Sequence, residues 1–333
     1  MKRITTSEVA KAAGVSIGAA SVVLNGGTKK IGVSEKTRAR ILRAAAKLGY
    51  RLNPAARATR TGRFGSIALL LGRIEHNSLV SGSRLSCILD ATEKRNLSLT
   101  LTRADDEKLS DERFLHDLLA RIYADGLLIG YNAELPPLFT KLLTRLRIPA
   151  VWLNAKMNQN AVYPDDRLAA RQLTEKFIAA GFRDIVFIND NGNSHYSFFD
   201  RKEGYEEAMS RAGLTPTVFA GDHDDACAIY TDQFIPFFQN RTQKRVFICY
   251  ANGYTRAVCA AAASAGRTPG ADFKIATFGD APVMIGETTV PTALMDEKRL
   301  TDEAVEMLTM RVTDPTADIP SVPIPYASIP DLA

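Results

Sequence analysis

The sequence has little with which to perform covalent chemistry. Its four cysteines, Cys87, Cys227, Cys249 and Cys259, make no C-x-x-C pair and no zinc-finger spacing, so they read as small apolar residues. The four histidines, at 76, 116, 195 and 223, are scattered and form no H-E-x-x-H. No G-x-x-x-x-G-K-S/T loop occurs, which removes P-loop chemistry. The expectation is therefore no enzyme, no metal and no cofactor. No apolar run reaches the roughly 18 residues a membrane helix needs. The start, Met1-Lys2-Arg3-Ile4-Thr5-Thr6, turns polar without a signal-type apolar stretch, so a cytoplasmic protein is expected. Acids are almost missing from the first 63 residues. Fourteen of the 42 Lys and Arg but only Glu8 and Glu35 of the 37 acids lie there, a net charge of +12 that leaves −7 for the remainder. A basic head on an acidic body suggests that the head alone meets a polyanion.

What is present in the head is a folded pattern. Thr5 stands three residues before Glu8, the spacing of a capping box. Val9, Ala10, Ala12 and Ala13 form a small apolar face, and Gly14 breaks the helix. Ser16 suits the N-cap of a second helix over 17–24, ended by Asn25-Gly26-Gly27. Ser34 caps a third, with Ile41, Ala45 and Leu48 on one face and Gly49 closing it. Two short helices joined by a tight Gly-containing turn, with a third behind, make a helix-turn-helix. At 333 residues the chain has room for two or three domains.

Residues 4–25 (ITTSEVAKAAGVSIGAASVVLN), then Val33-Ser34-Glu35-Lys36-Thr37-Arg38 and Leu48-Gly49-Tyr50, resemble the headpiece of the lactose repressor (LacI) family, and the likeness runs through the whole chain. The resemblance implies a sequence-specific DNA-binding transcriptional regulator of repressor type, a homodimer on double-stranded operator DNA. It places the second helix in the major groove with Ile17, Gly18 and Val22 towards base edges. None of these makes a bidentate hydrogen bond, so readout leans on thymine methyls, shape, or neighbours such as Lys29. Thr5, Ser16, Ser21 and Asn25 read as phosphate-positioning groups.

Residues 51–62 (RLNPAARATRTG) form an expected hinge helix, with Asn53 as cap and Pro54 at its first position. So short a helix is marginal alone. In the resembled family paired hinge helices wedge a Leu into the minor groove. The matching position is Thr59, a smaller and wetter wedge, flanked by Arg57 and Arg60.

From Ser66 strands and helices alternate. Apolar runs at 67–71, 97–101, 126–129 and 150–153, and a second series from 166, predict a doubly wound α/β core of two lobes. The resemblance makes it of periplasmic-binding-protein type. The expected division is a headpiece at 1–49, a hinge at 50–62 and a core at 63–333. Within the core, one lobe takes about 63–158 and 293–318, the other about 159–291 and 319–333. Ligands of such sheets sit beyond the carboxyl ends of the strands, so a small-molecule effector is expected between the lobes. Candidate contacts by position are Arg73, His76, Tyr131, Asn154 and Asp280. Arg201 in Arg201-Lys202-Glu203-Gly204-Tyr205, Asn252 in Tyr250-Ala251-Asn252, and His223 are implied by family motifs. Where the family carries acids stand Gly253, Gly279 and Asn154, which suggests a sugar-like effector with anionic character. Two other readings stay open: a regulator without ligand control, and a cytoplasmic small-molecule-binding protein.

Overall fold

Short-range capping writes the first helices. Thr5 Oγ1 accepts from the Glu8 amide at 3.3 Å and Glu8 Oε2 from the Thr5 amide at 2.7 Å, which starts α1, Thr6–Ala13. The chain, here a computed structural model, is described for residues 4–24, 32–51, 58, 62–73, 78, 80–132, 135–190, 195–223, 229–239 and 245–331. Gly14 takes a left-handed φ of 60°, and Ser16 caps α2, Ile17–Leu24, by accepting from the Ala19 amide at 3.2 Å. Ser34 and the left-handed Gly49 bound α3, Glu35–Leu48. The axes of α1 and α2 cross at 111°, inside the range of helix-turn-helix units. Val9, Ala10, Ala13, Ala20, Val23, Ile41 and Ala45 close their core, and the Tyr50 hydroxyl lies 3.2 Å from Thr6 Oγ1. This first unit extends to Gly65. Most of the expected hinge, including Asn53, Arg57, Thr59 and Arg60, lies outside the described residues.

The second unit, Ser66–Ala333, contains two parallel sheets. The first sheet comprises β1 (Ser66–Leu71), β2 (Ser98–Arg103), β3 (Leu127–Ile129), β4 (Ala150–Leu153), β5 (Ala161–Pro164) and β13 (Val322–Ile324), in the order β13-β5-β4-β3-β1-β2. Its helices are α4 (Gly82–Glu93), α5 (Glu112–Ala120), α6 (Pro137–Arg145) and α10 (Glu297–Thr313). Successive residues of a strand face opposite ways. Leu69, Leu128 and Val151 therefore enter one apolar layer with Ile88 and Leu308, while Leu70, Leu127 and Ile129 enter another with Leu115 and Phe139. Burial on both faces is why β1, β3 and β4 read as apolar runs, whereas the edge strand β2, expected from 97–101 to be buried, has no buried residue.

The second sheet comprises β6 (Ile185–Asp190), β7 (Thr217–Gly221), β8 (Val246–Cys249), β9 (Lys274–Gly279) and β12 (Thr292–Leu294), in the order β12-β9-β8-β6-β7. A hairpin, β10 (Val283–Ile285) and β11 (Thr288–Val290), precedes β12. The helices are α7 (Asp166–Ala179), α8 (Tyr196–Arg211) and α9 (Asn252–Ser264). Helices α7 and α8 approach closely because position 204 is glycine. A Cβ there would stand 2.2 Å from the Arg167 carbonyl oxygen.

The expected lobe boundaries need correction. Residues 161–164 and 322–324, assigned from sequence to the second lobe, are strands of the first sheet. Val162 and Ile324 are buried in its apolar layer, and Asn160 ties the two strands by accepting from the Ile319 amide at 3.0 Å. The crossings between lobes therefore fall after Pro164, after Leu294 and after Ile324.

Candidate functional site: a helix-turn-helix surface and an interlobe cleft

On the headpiece, packing decides which side of α2 is offered. Ala20 and Val23 are buried, while Ser16, Ile17 and Gly18 are exposed and Ser21 and Val22 half-buried. Ile17 is 57 % exposed, an unusual state for a large aliphatic residue on a small basic domain. Thr5 is exposed, with its hydroxyl engaged by Glu8 at 2.9 Å. Asn25 and Lys29 lie outside the described residues.

In the core, a cavity of about 380 Å³ opens where the strands of both sheets end. Asn132, Asn154, Ser81, Arg84 and Glu297 line it from the first lobe, and Asp190, His195, Ser197, Arg201, His223, Tyr250 and Asp280 from the second. Ile229, Tyr254 and Met295 add apolar surface.

Two buried guanidiniums set its electrostatics. Arg84 donates through Nε and Nη2 to the two carboxylate oxygens of Glu297, each at 2.7 Å. Arg201 donates through Nε to Asp166 at 2.6 Å, through Nη1 to the Tyr250 carbonyl at 2.5 Å, and through Nη2 to the Tyr326 hydroxyl at 3.1 Å. It also lies 4.9 and 4.7 Å from the ring centres of Tyr250 and Phe278. Burial opposes charge on each arginine, but the adjacent carboxylates outweigh it and raise both above the ordinary guanidinium value. Each arginine thus already has an anion.

Contacts across the cleft join the lobes. Ser83 Oγ donates to Asp280 at 2.5 Å, Lys156 Nζ lies 2.8 Å from both Asp200 oxygens, and the His195 ring lies 2.8 Å from the Asn154 carbonyl. Burial raises the Asp280 carboxyl, but the bonds from Ser81 and Ser83 win and hold it below the usual carboxylate value. His223 Nε2 stands 3.2 Å from Asp190 Oδ1.

Of the residues picked out from sequence, Asn154, Arg201, His223 and Asp280 line the cavity, and Arg73, Tyr131 and Asn252 do not. Arg73 is turned outward near Asp105, 3.9 Å away. Tyr131 is buried, its hydroxyl donating to Asp106. Asn252 opens α9, one residue beyond the lining, with its Oδ1 buried and without a hydrogen-bond partner among the described residues. His76 lies outside the described residues. Position 253 is also informative: a Cβ there would meet Ile229 Cδ1 at 2.7 Å. The place of a family acid is thus filled by an aliphatic chain.

Arg84, Glu297 and His195 were not picked out. The first two had a legible mark. Arg84 shares a buried stripe with Ile88 and Ala91, and Glu297 with Leu300, Thr301 and Ala304. An opposite charge on the apolar face of each of two helices anticipates a buried pair.

Comparison with known proteins agrees with this geometry. Residues 5–53 match the family model "Bacterial regulatory proteins, lacI family". Residues 80–243 match "Periplasmic binding proteins and sugar binding domain of LacI family", and 174–330 a periplasmic binding protein-like domain. The HTH-type transcriptional regulator RegA of Clostridium saccharobutylicum is 29 % identical over 62 % of this chain and 61 % of its own length. The maltose regulon regulatory protein MalI of Escherichia coli K12 is 30 % identical over 64 % of this chain and 61 % of its own. The chain thus spans about three fifths of these relatives' length. A structure of the Lac repressor bound to ONPG superposes with a TM-score of 0.77 at 18 % identity, covering 98 % of each chain. A CelR–cellobiose complex superposes at 0.61 and 20 % identity, covering 99 % of this chain and 100 % of that one.

Proposed function

Because this chain belongs to the LacI family of bacterial regulatory proteins, we propose that it is a sequence-specific DNA-binding transcriptional repressor. It works in the cytoplasm as a homodimer on double-stranded operator DNA, and a small molecule between its lobes modulates operator affinity. The observation that carries the DNA-binding reading is the capped 111° helix pair on a segment of net charge +12. The exposed Ile17 and Gly18 favour apolar and shape readout over bidentate hydrogen bonding.

The cleft supports ligand control because its walls belong to different lobes and already touch through Ser83–Asp280 and Lys156–Asp200. A ligand that bridges the walls shifts the lobe angle by its differential affinity alone. A coupling of about 1–3 kcal/mol changes operator affinity roughly 5- to 150-fold. Charge favours a neutral polyhydroxylated effector over the anionic one expected from sequence. Both arginines are neutralised, Arg84 by Glu297 and Arg201 by Asp166, and Asp190 and Asp280 also line the space. Hydroxyls suit the remaining mixture of acids, amides and histidines.

Selection of genomic fragments with the purified protein, followed by anisotropy titration, tests DNA binding. Binding to selected sites should weaken steeply with salt, by about 10³-fold or more between 50 and 200 mM. Salt-independent binding, or none, rejects the reading. A thermal-shift panel tests the effector: a neutral sugar should raise the melting temperature of the protein but not of a His223→Ala variant. A shift from sugar phosphates alone, lost in that variant, rejects the neutral ligand.

A further inference from the structure

A second cavity, of about 520 Å³, lies in the first lobe away from the cleft. It is bounded by Thr140 and Thr144 of α6, by Trp152 of β4, by residues 157–160, and by Arg311 with the turn that follows α10. Its chemistry differs from that of the cleft. Arg311 is nearly buried, its side chain 11 % exposed. Its Nη1 and Nη2 donate to the carbonyls of Ala317 and Pro315 at 2.7 and 3.2 Å. Its Nε is buried and, among the described residues, has no hydrogen-bond partner. Asp318, the acid beside it, is 3.8 Å away and 63 % exposed. A buried guanidinium N–H left unbonded is costly, so an oxyanion that satisfied it would bind favourably. Arg147 adds a second, exposed guanidinium to the lining. Trp152 is half-buried, and an indole in a polar cavity offers a flat face to a ring.

We propose that this cavity is a second small-molecule site, distinct from the interlobe cleft, that takes a ring compound bearing an oxyanion. The phosphate or carboxylate pairs with Arg311 and Arg147, and the ring lies against Trp152. Consistent with this, burial lowers the Arg311 pKa and the neighbouring Asp318 and Asp314 do not offset it. The site has a route to the rest of the core. Asn160 and Asp318, both in its lining, precede β5 and β13, whose far ends lead directly across to the second lobe.

The chain contains a single tryptophan, Trp152, so its intrinsic fluorescence reports on this cavity. The full-length protein is titrated with glucose 6-phosphate and with benzoate, and with glucose and inorganic phosphate as controls. A saturable change in emission with glucose 6-phosphate assigns a phosphorylated sugar, and one with benzoate an aromatic acid. Either supports the site if affinity falls at least 10-fold in Arg311→Met and in Arg147→Asn and is unchanged in His223→Ala, a cleft variant. Arg311→Met removes bonds to the turn and could unfold it. Arg147→Asn places a residue tolerant of left-handed backbone where φ is 52°, so it keeps the test decisive. No saturable change with either anion overturns the proposal. So does an equal response to inorganic phosphate, or affinity that is retained in both arginine variants or lost in His223→Ala.

Discussion

The two walls of the cleft are each built on a buried arginine, and they hold it differently. In the first lobe, both Arg84 bonds go to one residue, Glu297, so the pair is a self-contained clamp between α4 and α10. In the second lobe, Arg201 divides its donors among Asp166, the Tyr250 carbonyl and the Tyr326 hydroxyl. These lie on three separate stretches of chain, one of them the last crossing between lobes. Equal charge and burial thus serve two purposes. One arginine neutralises a carboxylate, while the other is a hub on which the shape of a wall depends.

Double-mutant cycles separate the two, and the largest effects are expected here. Glu297→Gln leaves Arg84 without its anion, and Asp166→Asn does the same to Arg201. Each should cost about 3–5 kcal/mol, the usual penalty for stranding a buried charge. The walls should then differ in repair. Replacing the clamp with Arg84→Met and Glu297→Leu removes both charges and should recover stability to within about 1 kcal/mol. Arg201→Met with Asp166→Leu strands the Tyr250 carbonyl and the Tyr326 hydroxyl, and should recover much less. Urea unfolding of the parent and these four variants decides this, and equal recovery on both walls would remove the distinction.

A somewhat smaller effect tests what brings Arg201 and Asp166 together. They stand on α8 and α7, which touch through Gly204. With a Cβ 2.2 Å from the Arg167 carbonyl, Gly204→Ala must part the helices, at about 3 kcal/mol. A loss under about 1 kcal/mol in the same unfolding measurement would show that the helices do not need this contact.

The same contrast explains what was legible in the sequence. Thr5, Glu8, Ser34, Gly14 and Gly49 act within a few residues of themselves, so the headpiece helices could be read off directly. Runs such as 67–71 announced buried strands. Arg201 was legible through its motif, and Asn154 and Asp280 through their positions just past strands. Position does not fix direction, however: Tyr131 follows a strand yet turns to Asp106. The Arg84–Glu297 pair joins residues 213 apart, a separation no local pattern spans. Residues 161–164 were placed in the wrong lobe for the same reason, since their partners on β13 lie some 160 residues away.

Contacts between the walls should matter less than those within them. Asp200 is held by Lys156 across the cleft, and Lys156 is 43 % exposed. Burial raises the Asp200 carboxyl despite that partner. Asp200→Asn therefore relieves desolvation while losing an ion pair that solvent already weakens. Stability should change by less than about 1 kcal/mol, while effector affinity falls a few-fold because the closed arrangement loses a contact. Calorimetry with the effector identified by the sugar panel measures both. A stability loss above about 2 kcal/mol would make this contact a structural pair like those inside the walls.

The remaining difference shows only in how stability depends on pH. Burial lowers the pKa of His195 from 6.5, and its bond to the Asn154 carbonyl only partly offsets this. The unfolded chain then binds a proton at this site at a pH where the folded chain does not. Stability must rise with pH across that window, so it is lost as pH falls below about 6.5 and levels off once the folded histidine also protonates. Asp280, held below its usual value, works on a lower range. Its contribution is present above the ordinary carboxylate pKa and disappears only in stronger acid. His195→Gln should therefore flatten the unfolding free energy between pH 7 and pH 5 and leave the steeper acid limb unchanged. Identical slopes in the variant and the parent would mean that His195 titrates alike in both states and that its place between the walls does not govern its charge.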